Sequence, residues 1–183
     1  GGVLVQEGGI TNANFKLPDV SFISVNDSIR ALGDIGSFHR SRFNIPIIGI
    51  TGSNGKTTTK EMTSAILSKK FNILKSFGTE NNNIGVPLTL MRLNDKHNMV
   101  VMEMGTNHLG EIRRLSEIAR PTMAVITNIG PSHLEYLEDV DTVLKAKLEI
   151  LEYMDKDGKL ILNADDDGLR TRKSTPGTVW FGF

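Results

Sequence analysis

The sequence contains no cysteine. Disulfides and thiolate metal sites are therefore excluded. Neither sign of charge is in surplus, with 21 Lys and Arg against 21 Asp and Glu. That balance argues against a broad electrostatic surface for nucleic acid and leaves room only for local basic patches. No apolar run approaches the length of a membrane span. The opening "GGVLVQEGGI" lacks the basic start and long apolar stretch of a signal peptide. Internal repeats and low-complexity tracts are also missing. These absences lead us to expect a cytoplasmic protein with no nucleic-acid partner and no membrane insertion; a monomer is expected as well, though no absence argues for it. Its 183 residues suffice for one sizeable core and an attached piece.

What the sequence does contain is a loop suited to phosphates. Residues 45–51, "IPIIGIT", are apolar and β-branched and read as a short buried strand. Gly52, Ser53, Asn54 and Gly55 follow, and two glycines let the backbone turn sharply with its N–H groups inward. Lys56, Thr57 and Thr58 then open a helical run, "TTKEMTSAILSKK". Strand, glycine turn and helix give a phosphate-loop match its physical context, because the helix N-terminus and the turn amides attract an anion. Lys56 would neutralise β- and γ-phosphate charge, and Thr57 would place a hydroxyl on Mg²⁺. The usual pattern wants a glycine where Ile50 stands, so the motif is the shorter G-x-x-G-K-T. The bland alternative is a glycine turn with an exposed lysine. Alone, the loop implies a nucleotide but no reaction.

The rest of the chain alternates strand and helix. Strand candidates are "SFISV", "FNILKS", "NMVVMEM", "TMAVITN", "KLILN" and "TVWFGF". Helices are expected after Asp27 as N-cap, over "GEIRRLSEIAR" up to Pro121, and over "DVDTVLKAKLEILEYM". This rhythm predicts an α/β fold: an open, mostly parallel sheet with helices on both faces. The first forty or so residues fit it less well, and Gly8, Gly9 and "TNAN" suggest a loop between an N-terminal piece and the main domain.

In such sheets ligands bind at the carboxyl ends of the strands. Glu103 sits there inside the apolar "VVMEMG", where a carboxylate is costly unless paired or on a metal. It is a candidate Mg²⁺ residue, with a structural ion pair as the alternative. His133 follows "VITNIGPSH" and is a candidate metal or phosphate residue, or plain surface. Lys147 falls in the middle of a helical face made by Val140, Val143, Leu144, Ile150, Leu151 and Met154. Burial lowers a lysine's pKa, and a neutral amine can take up CO₂ to give a carbamate that binds Mg²⁺; a snorkelling lysine is the alternative. The asparagines of "TENNNIGVPLTL" suit either a loop or hydrogen bonding to a substrate.

Together, "ITGSNGKTTTKEM", "NNNIGVPLTLMRL", "VVMEMGTNHLGEI" and "ARPTMAVITNIGPSHLE" resemble the Mur ligases, ATP-dependent amide-forming enzymes of peptidoglycan synthesis. "AKLEI" and "LNADDD" add support, and the match runs from about Phe43 to Asp167. The wording favours the branch that adds D-Ala-D-Ala to UDP-MurNAc-tripeptide over the glutamate-adding and folate-linked relatives. The short phosphate loop is the family's form. The resemblance implies that ATP phosphorylates a substrate carboxylate and that an amine then displaces phosphate, with two Mg²⁺ ions offsetting charge. It implies that Gly52 to Thr58 cradle the phosphates around Lys56. Thr57 and Glu103 would hold one Mg²⁺, with His133 and carbamylated Lys147 at the second. Asn81 and Asn82 would lie near substrate; Thr79 and Glu80 before them depart from the family's asparagine-leucine.

The family has three domains. The resemblance makes residues 1–44 a remnant of the UDP-sugar domain with a linker helix, and 45–183 an incomplete central ATP-binding domain. The C-terminal ligase domain, with its arginine and aspartate, is not in the sequence, nor is the later asparagine motif of the central domain. Such a piece is expected to be inactive in ligation alone. Three other readings stand beside this one: a nucleotide-binding module without turnover, a P-loop small-molecule kinase, and a folylpolyglutamate synthetase-like ligase.

Overall fold

A computed structural model describes residues 1–8, 20–132, 134–171 and 177–183. His133 thus lies outside the described residues. Among the described residues the main sheet has six strands in the order β4-β5-β3-β6-β7-β8, and every neighbouring pair is parallel. They are β3 (Ile47–Thr51), β4 (Ile73–Lys75), β5 (Met99–Glu103), β6 (Met123–Ile126), β7 (Lys159–Asn163) and β8 (Thr178–Phe181). Every residue of β3 and β5 is buried, which is why both read as unbroken apolar runs.

Each face of the sheet has its own core. On one, Ile47, Val100, Met102, Ala124 and Leu162 meet α3 (Gly85–Met91) and α4 (Glu111–Ala119), through Val86, Leu90, Ile112 and Leu115. On the other, Ile48, Ile50, Met99, Val101 and Val125 pack with Leu67 at the end of α2 (Lys56–Leu67). Burying each large side chain contributes about 1.5–3 kcal/mol relative to exposure, so alternate residues of one strand stabilise opposite layers. The α/β architecture with helices on both faces is as the sequence rhythm predicts.

The N-terminal segment forms a separate parallel pair, β1 (Gly2–Gln6) with β2 (Ser21–Val25). Helix α1 (Ser28–Ser41) follows, capped by Asp27, which accepts from the N–H groups of Ile29 and Arg30. It packs on α3 and α4. A Cβ on Gly36 would lie 2.6 Å from Pro87 Cβ and 2.8 Å from its Cα, so glycine sets how closely α1 and α3 approach.

Several elements differ from expectation, β1, α3 and the helices that follow β6 among them. Part of the asparagine-rich stretch is helical: Asn82 Oδ1 accepts from Ile84 N at 3.1 Å and Gly85 N at 2.9 Å, starting α3. A short α5 (Leu134–Leu137) precedes the helix expected through Met154. That helix, α6, spans Val140–Leu148 and continues as a 3-10 turn over Glu149–Leu151. Its apolar face begins at Val143, since Val140 is exposed. A one-turn helix, α7 (Asp167–Arg170), completes the elements.

The parallel register gathers the site. Ile50 pairs with Glu103, and Thr51 with Ile126, so the carboxyl ends of β3, β5 and β6 lie side by side. The segments that leave them are 52–55, 104–107 and 127–130, in the place where open parallel sheets bind ligands.

Candidate functional site

The phosphate loop is built around Gly52 and Gly55. Gly52 has φ +142°, and a Cβ there would stand 2.0 Å from Thr127 Oγ1 and 3.1 Å from Thr127 N. Gly55 is left-handed, φ +78°, and is the N-cap of α2. No side chain caps that helix. Its first-turn N–H groups, on Lys56, Thr57 and Thr58, are therefore donors left to a bound anion.

The segment after β6 holds the loop from behind. Ser53 N donates to Asn128 O at 3.0 Å, and Asn54 N to Asn128 Oδ1 at 2.9 Å. Thr127 Oγ1 donates to Asn54 O at 2.6 Å, and Ser53 Oγ to Gly130 O at 2.9 Å. The amides of Ser53 and Asn54 are thus committed within the protein. Of the seven loop residues read as phosphate-binding, Lys56 to Thr58 carry the open first-turn amides, while Ser53 and Asn54 fix the turn.

Lys56 Nζ donates to Gly52 O at 2.8 Å and Ser53 O at 3.0 Å, which lays the ammonium along the loop. Burial lowers its pKa from the ordinary lysine value, and the Glu103 charge opposes that shift. Glu103 is 2 % exposed and is gripped from two sides. Thr57 Oγ1 donates to its Oε2 at 2.7 Å, and Asn81 Nδ2 to its Oε1 at 2.8 Å. A cavity of about 430 Å³ opens over this group, lined by Lys56, Thr57, Asn81, Glu103 and Thr106 among others.

The donor set suits Mg²⁺. Two neighbouring oxygen ligands of an octahedral Mg²⁺ stand roughly 2.9 Å apart, close to the spacing of Thr57 Oγ1 and Glu103 Oε2. A complete protein cage is not needed, because Mg²⁺ is ordinarily held by one or two carboxylates, waters and substrate phosphates. Accordingly, no group of three His, Asp or Glu suited to a metal occurs among the described residues.

Lys147 is 1 % exposed. Its pKa is lowered to about 8, first by burial and then by the charge of Lys56; Glu111 and Glu149 act in the opposite sense. No hydrogen bond joins its ammonium to the described residues. Its burial is what its interruption of an apolar face suggested.

Asn82 Oδ1 is occupied in starting α3, and the residue also lines a cavity beside the phosphate loop. Its neighbour Asn81 is the one that reaches Glu103. Glu80 is held by Arg92 at 2.8 Å and by Thr89 at 3.1 Å, so this departure from the family's pattern is built into the local structure. A second cavity, of about 320 Å³, adjoins the first through Asn81, Gly105, Thr106 and Asn107 and extends over Asn82, Ile84 and Glu111.

Two residues of this region escaped sequence reasoning. Glu111 Oε2 accepts from Thr106 Oγ1 at 2.9 Å and from His108 N at 3.0 Å, so it shapes the cavity wall. Burial raises its pKa, but these hydrogen bonds and the one from Asn107 N outweigh burial and leave it lowered. Lys60 is fully buried and donates to Ser76 O and Gly78 O, each at 3.0 Å. It ties α2 to the segment that leads to Asn81. A lysine one helical turn beyond Lys56 was the available signal, but periodicity does not give its burial.

Comparison with known proteins agrees with this geometry. The family model for the Mur ligase middle domain matches residues 50–182. The UDP-N-acetylmuramoyl-tripeptide–D-alanyl-D-alanine ligase of Bacillus subtilis is 41 % identical over 152 residues, covering 83 % of this chain and 33 % of that protein. The ligase of the same name from Escherichia coli is 38 % identical over 164 residues, covering 88 % and 36 %. The crystal structure of MurF ligase from Thermotoga maritima in complex with ADP superposes with a TM-score of 0.84 at 29 % identity, covering 92 % of this chain and 40 % of that one. A MurF structure from Acinetobacter baumannii gives 0.81 at 37 % identity, covering 90 % and 36 %. The chain spans about a third of the length of the curated relatives it matches. With the phosphate loop, the buried carboxylate and the parallel sheet that joins them, the chain belongs to the Mur ligase family and carries its middle domain.

Proposed function

We propose that this chain is the ATP-binding domain of a ligase that joins D-Ala-D-Ala to UDP-MurNAc-tripeptide, working in the cytoplasm. One observation carries the reading: Thr57 and Asn81 fix both oxygens of the buried Glu103 beside the Lys56 loop. Such a constellation serves phosphoryl transfer, where the protein mainly positions groups and offsets charge. Residues 1–44 would be what remains of the UDP-sugar domain with its linker, and 45–183 the central domain.

In the proposed reaction a substrate carboxylate oxygen forms a bond to the γ-phosphorus of ATP as the bond to ADP breaks. The amine of D-Ala-D-Ala then attacks the carbonyl carbon, loses a proton, and inorganic phosphate leaves. The amides of Lys56 to Thr58 would hold the phosphates, and the Lys56 ammonium would offset charge on the transferred group. Thr57 and Glu103 would hold one Mg²⁺, whose contribution is further charge neutralisation. Asn81 would keep the Glu103 carboxylate oriented. Asn82 would face substrate only through atoms not used in starting α3.

Lys147 is assigned the carbamate. With a pKa of about 8, a substantial fraction of its amine is neutral near physiological pH. The neutral nitrogen would bond to the carbon of CO₂ and release a proton, converting a buried cation into an anion able to hold a second Mg²⁺. His133 is assigned the same ion by resemblance alone.

Calorimetry of Mg·ATP on this chain and on Lys56→Ala, in bicarbonate-containing buffer, tests the reading. Binding that is lost in the variant supports it. Equal binding by both would place the nucleotide elsewhere and sink the assignment. For the full-length protein, phosphate release that requires the tripeptide substrate separates a ligase from a binding module. Stimulation by folate would favour a folylpolyglutamate synthetase-like enzyme instead.

A further inference from the structure

A further cavity lies at the opposite pole of the sheet. Its volume is about 630 Å³. Pro46, just before β3, and Thr122, just before β6, line it, so it sits at the amino ends of the central strands. The nucleotide site is at their carboxyl ends, and nothing in the proposed reaction uses this pole.

The lining is cationic. Arg40, Arg120 and Lys156 face a single carboxylate, that of Asp155. Asp155 makes no ion pair with either arginine, and its Oδ1 accepts from Asp157 N at 3.0 Å. Arg40 is held rigidly. Its Nε donates to Ala119 O at 3.1 Å, Nη2 to Ile45 O at 3.1 Å, and Nη1 to Phe43 O. Three of its five N–H groups are thus used on carbonyls, which bring no compensating negative charge. Burial and the Arg120 charge both lower its pKa from the ordinary arginine value. Arg120 has no side-chain partner among the described residues. Two like charges close together, one of them partly buried, are stabilised by an anion between them.

The backbone gives an independent sign. Arg120 ends α4 with φ +47° and ψ 69°, the left-handed conformation that glycine adopts without cost and an L side chain does not. An arginine stands where the backbone would accept glycine more readily, and it lines the cavity. Ile45, Met154 and Tyr153 add an apolar wall. A volume of this size exceeds what a bare phosphate fills and suits a small organic ligand.

We propose that this cavity is a binding site for a small phosphate ester, with Arg40 and Arg120 on the phosphate and the wall of Ile45, Tyr153 and Met154 on the organic part. Planar guanidinium groups match phosphate oxygens in pairs, and Arg40 is already fixed for that purpose.

Amide NMR of the 183-residue chain, titrated with phenyl phosphate at constant ionic strength, tests the site. Saturable shifts are expected at Arg120, Thr122 and residues 153–156, separate from any at 52–58. Arg120→Gly suits the left-handed backbone, so the fold should be kept, while affinity at this pole falls about tenfold or more for a lost charge-assisted contact. Lys56→Ala should leave the same shifts in place. Inorganic phosphate should reach these residues more weakly than phenyl phosphate. Shifts confined to 52–58, linear shifts without saturation, or unchanged affinity in Arg120→Gly would overturn the site. Equal affinity for the two probes would overturn the role given to the apolar wall.

Discussion

Asn81 donates its side-chain amide to Oε1 of Glu103 at 2.8 Å, across 22 positions of the chain. The contact joins the segment after β4 to the end of β5, and Thr57 completes the grip from the first turn of α2. Three strand–helix units therefore meet on one carboxylate. Because Glu103 is buried, its orientation is set by these donors and not by water.

Glu103→Gln should keep the shape of this junction while removing the charge. Mg²⁺-dependent strengthening of ATP binding is expected to fall about tenfold or more, the equivalent of 1.4 kcal/mol or greater. Binding measured in EDTA should change little. Asn81→Ala leaves Glu103 Oε1 without that donor and should cost about 1–3 kcal/mol of stability. Calorimetry with and without Mg²⁺, and chemical denaturation, read the two effects. Equal losses with and without Mg²⁺ in Glu103→Gln would assign the carboxylate a purely structural part.

Lys147 makes stability depend on pH in a defined direction. Its folded pKa, about 8, lies below the ordinary value of 10.5. Between those values the unfolded chain binds the extra proton, so stability rises with pH from about 8 to about 10.5. Below that window the full cost of burying the charge is present. Lys147→Met should abolish this slope and stabilise the chain at pH 7 by up to about 3 kcal/mol. Denaturation midpoints across the window measure it. In ¹³C-bicarbonate, a carbamate resonance should grow as pH rises toward 8 and be missing from the variant; no such resonance in the parent would remove the carbamate assignment.

Lys60 should prove a structural cation with a functional consequence. Lys60→Met leaves the carbonyls of Ser76 and Gly78 without their buried donor, for a loss of roughly 1–3 kcal/mol. The freed segment carries Asn81, so Mg·ATP affinity should drop further than stability alone dictates. Lys60→Arg keeps the charge but not the shape, and should recover little, since a guanidinium does not fit a site closed around an ammonium. Thermal melts and nucleotide binding on the same samples separate these effects.

Much of this was legible in the sequence because it rests on local rules. The runs around Ile48 and Val101 are apolar throughout, as strands buried on both faces must be. Glu103 and Lys147 announced themselves by standing among apolar neighbours, and both are buried. Lys60 did not, and Asn81 was singled out by the family resemblance without its contact to Glu103, because the partners of both are set by the register of β5 and by the path after β4, which no window of sequence contains. Helix α3 was hidden for a different reason. Its start depends on Asn82 bonding the amides of Ile84 and Gly85, and an asparagine run advertises turns and helix starts alike.

Gly36→Ala sets two rules against each other. Helix propensity alone favours alanine over glycine in the interior of α1 by about 1 kcal/mol. Geometry opposes it: the added Cβ would meet Pro87 at 2.6 Å on Cβ and 2.8 Å on the backbone Cα. Proline has no flexible end to move aside, so α1 must shift away from α3. Such overpacking costs typically about 1–3 kcal/mol, which exceeds the propensity gain. The variant should therefore be destabilised, with its denaturation midpoint lowered and the amide shifts of α1 and α3 altered. A stabilised variant would mean that α1 is held loosely against the core, and that its close approach to α3 contributes little to the fold.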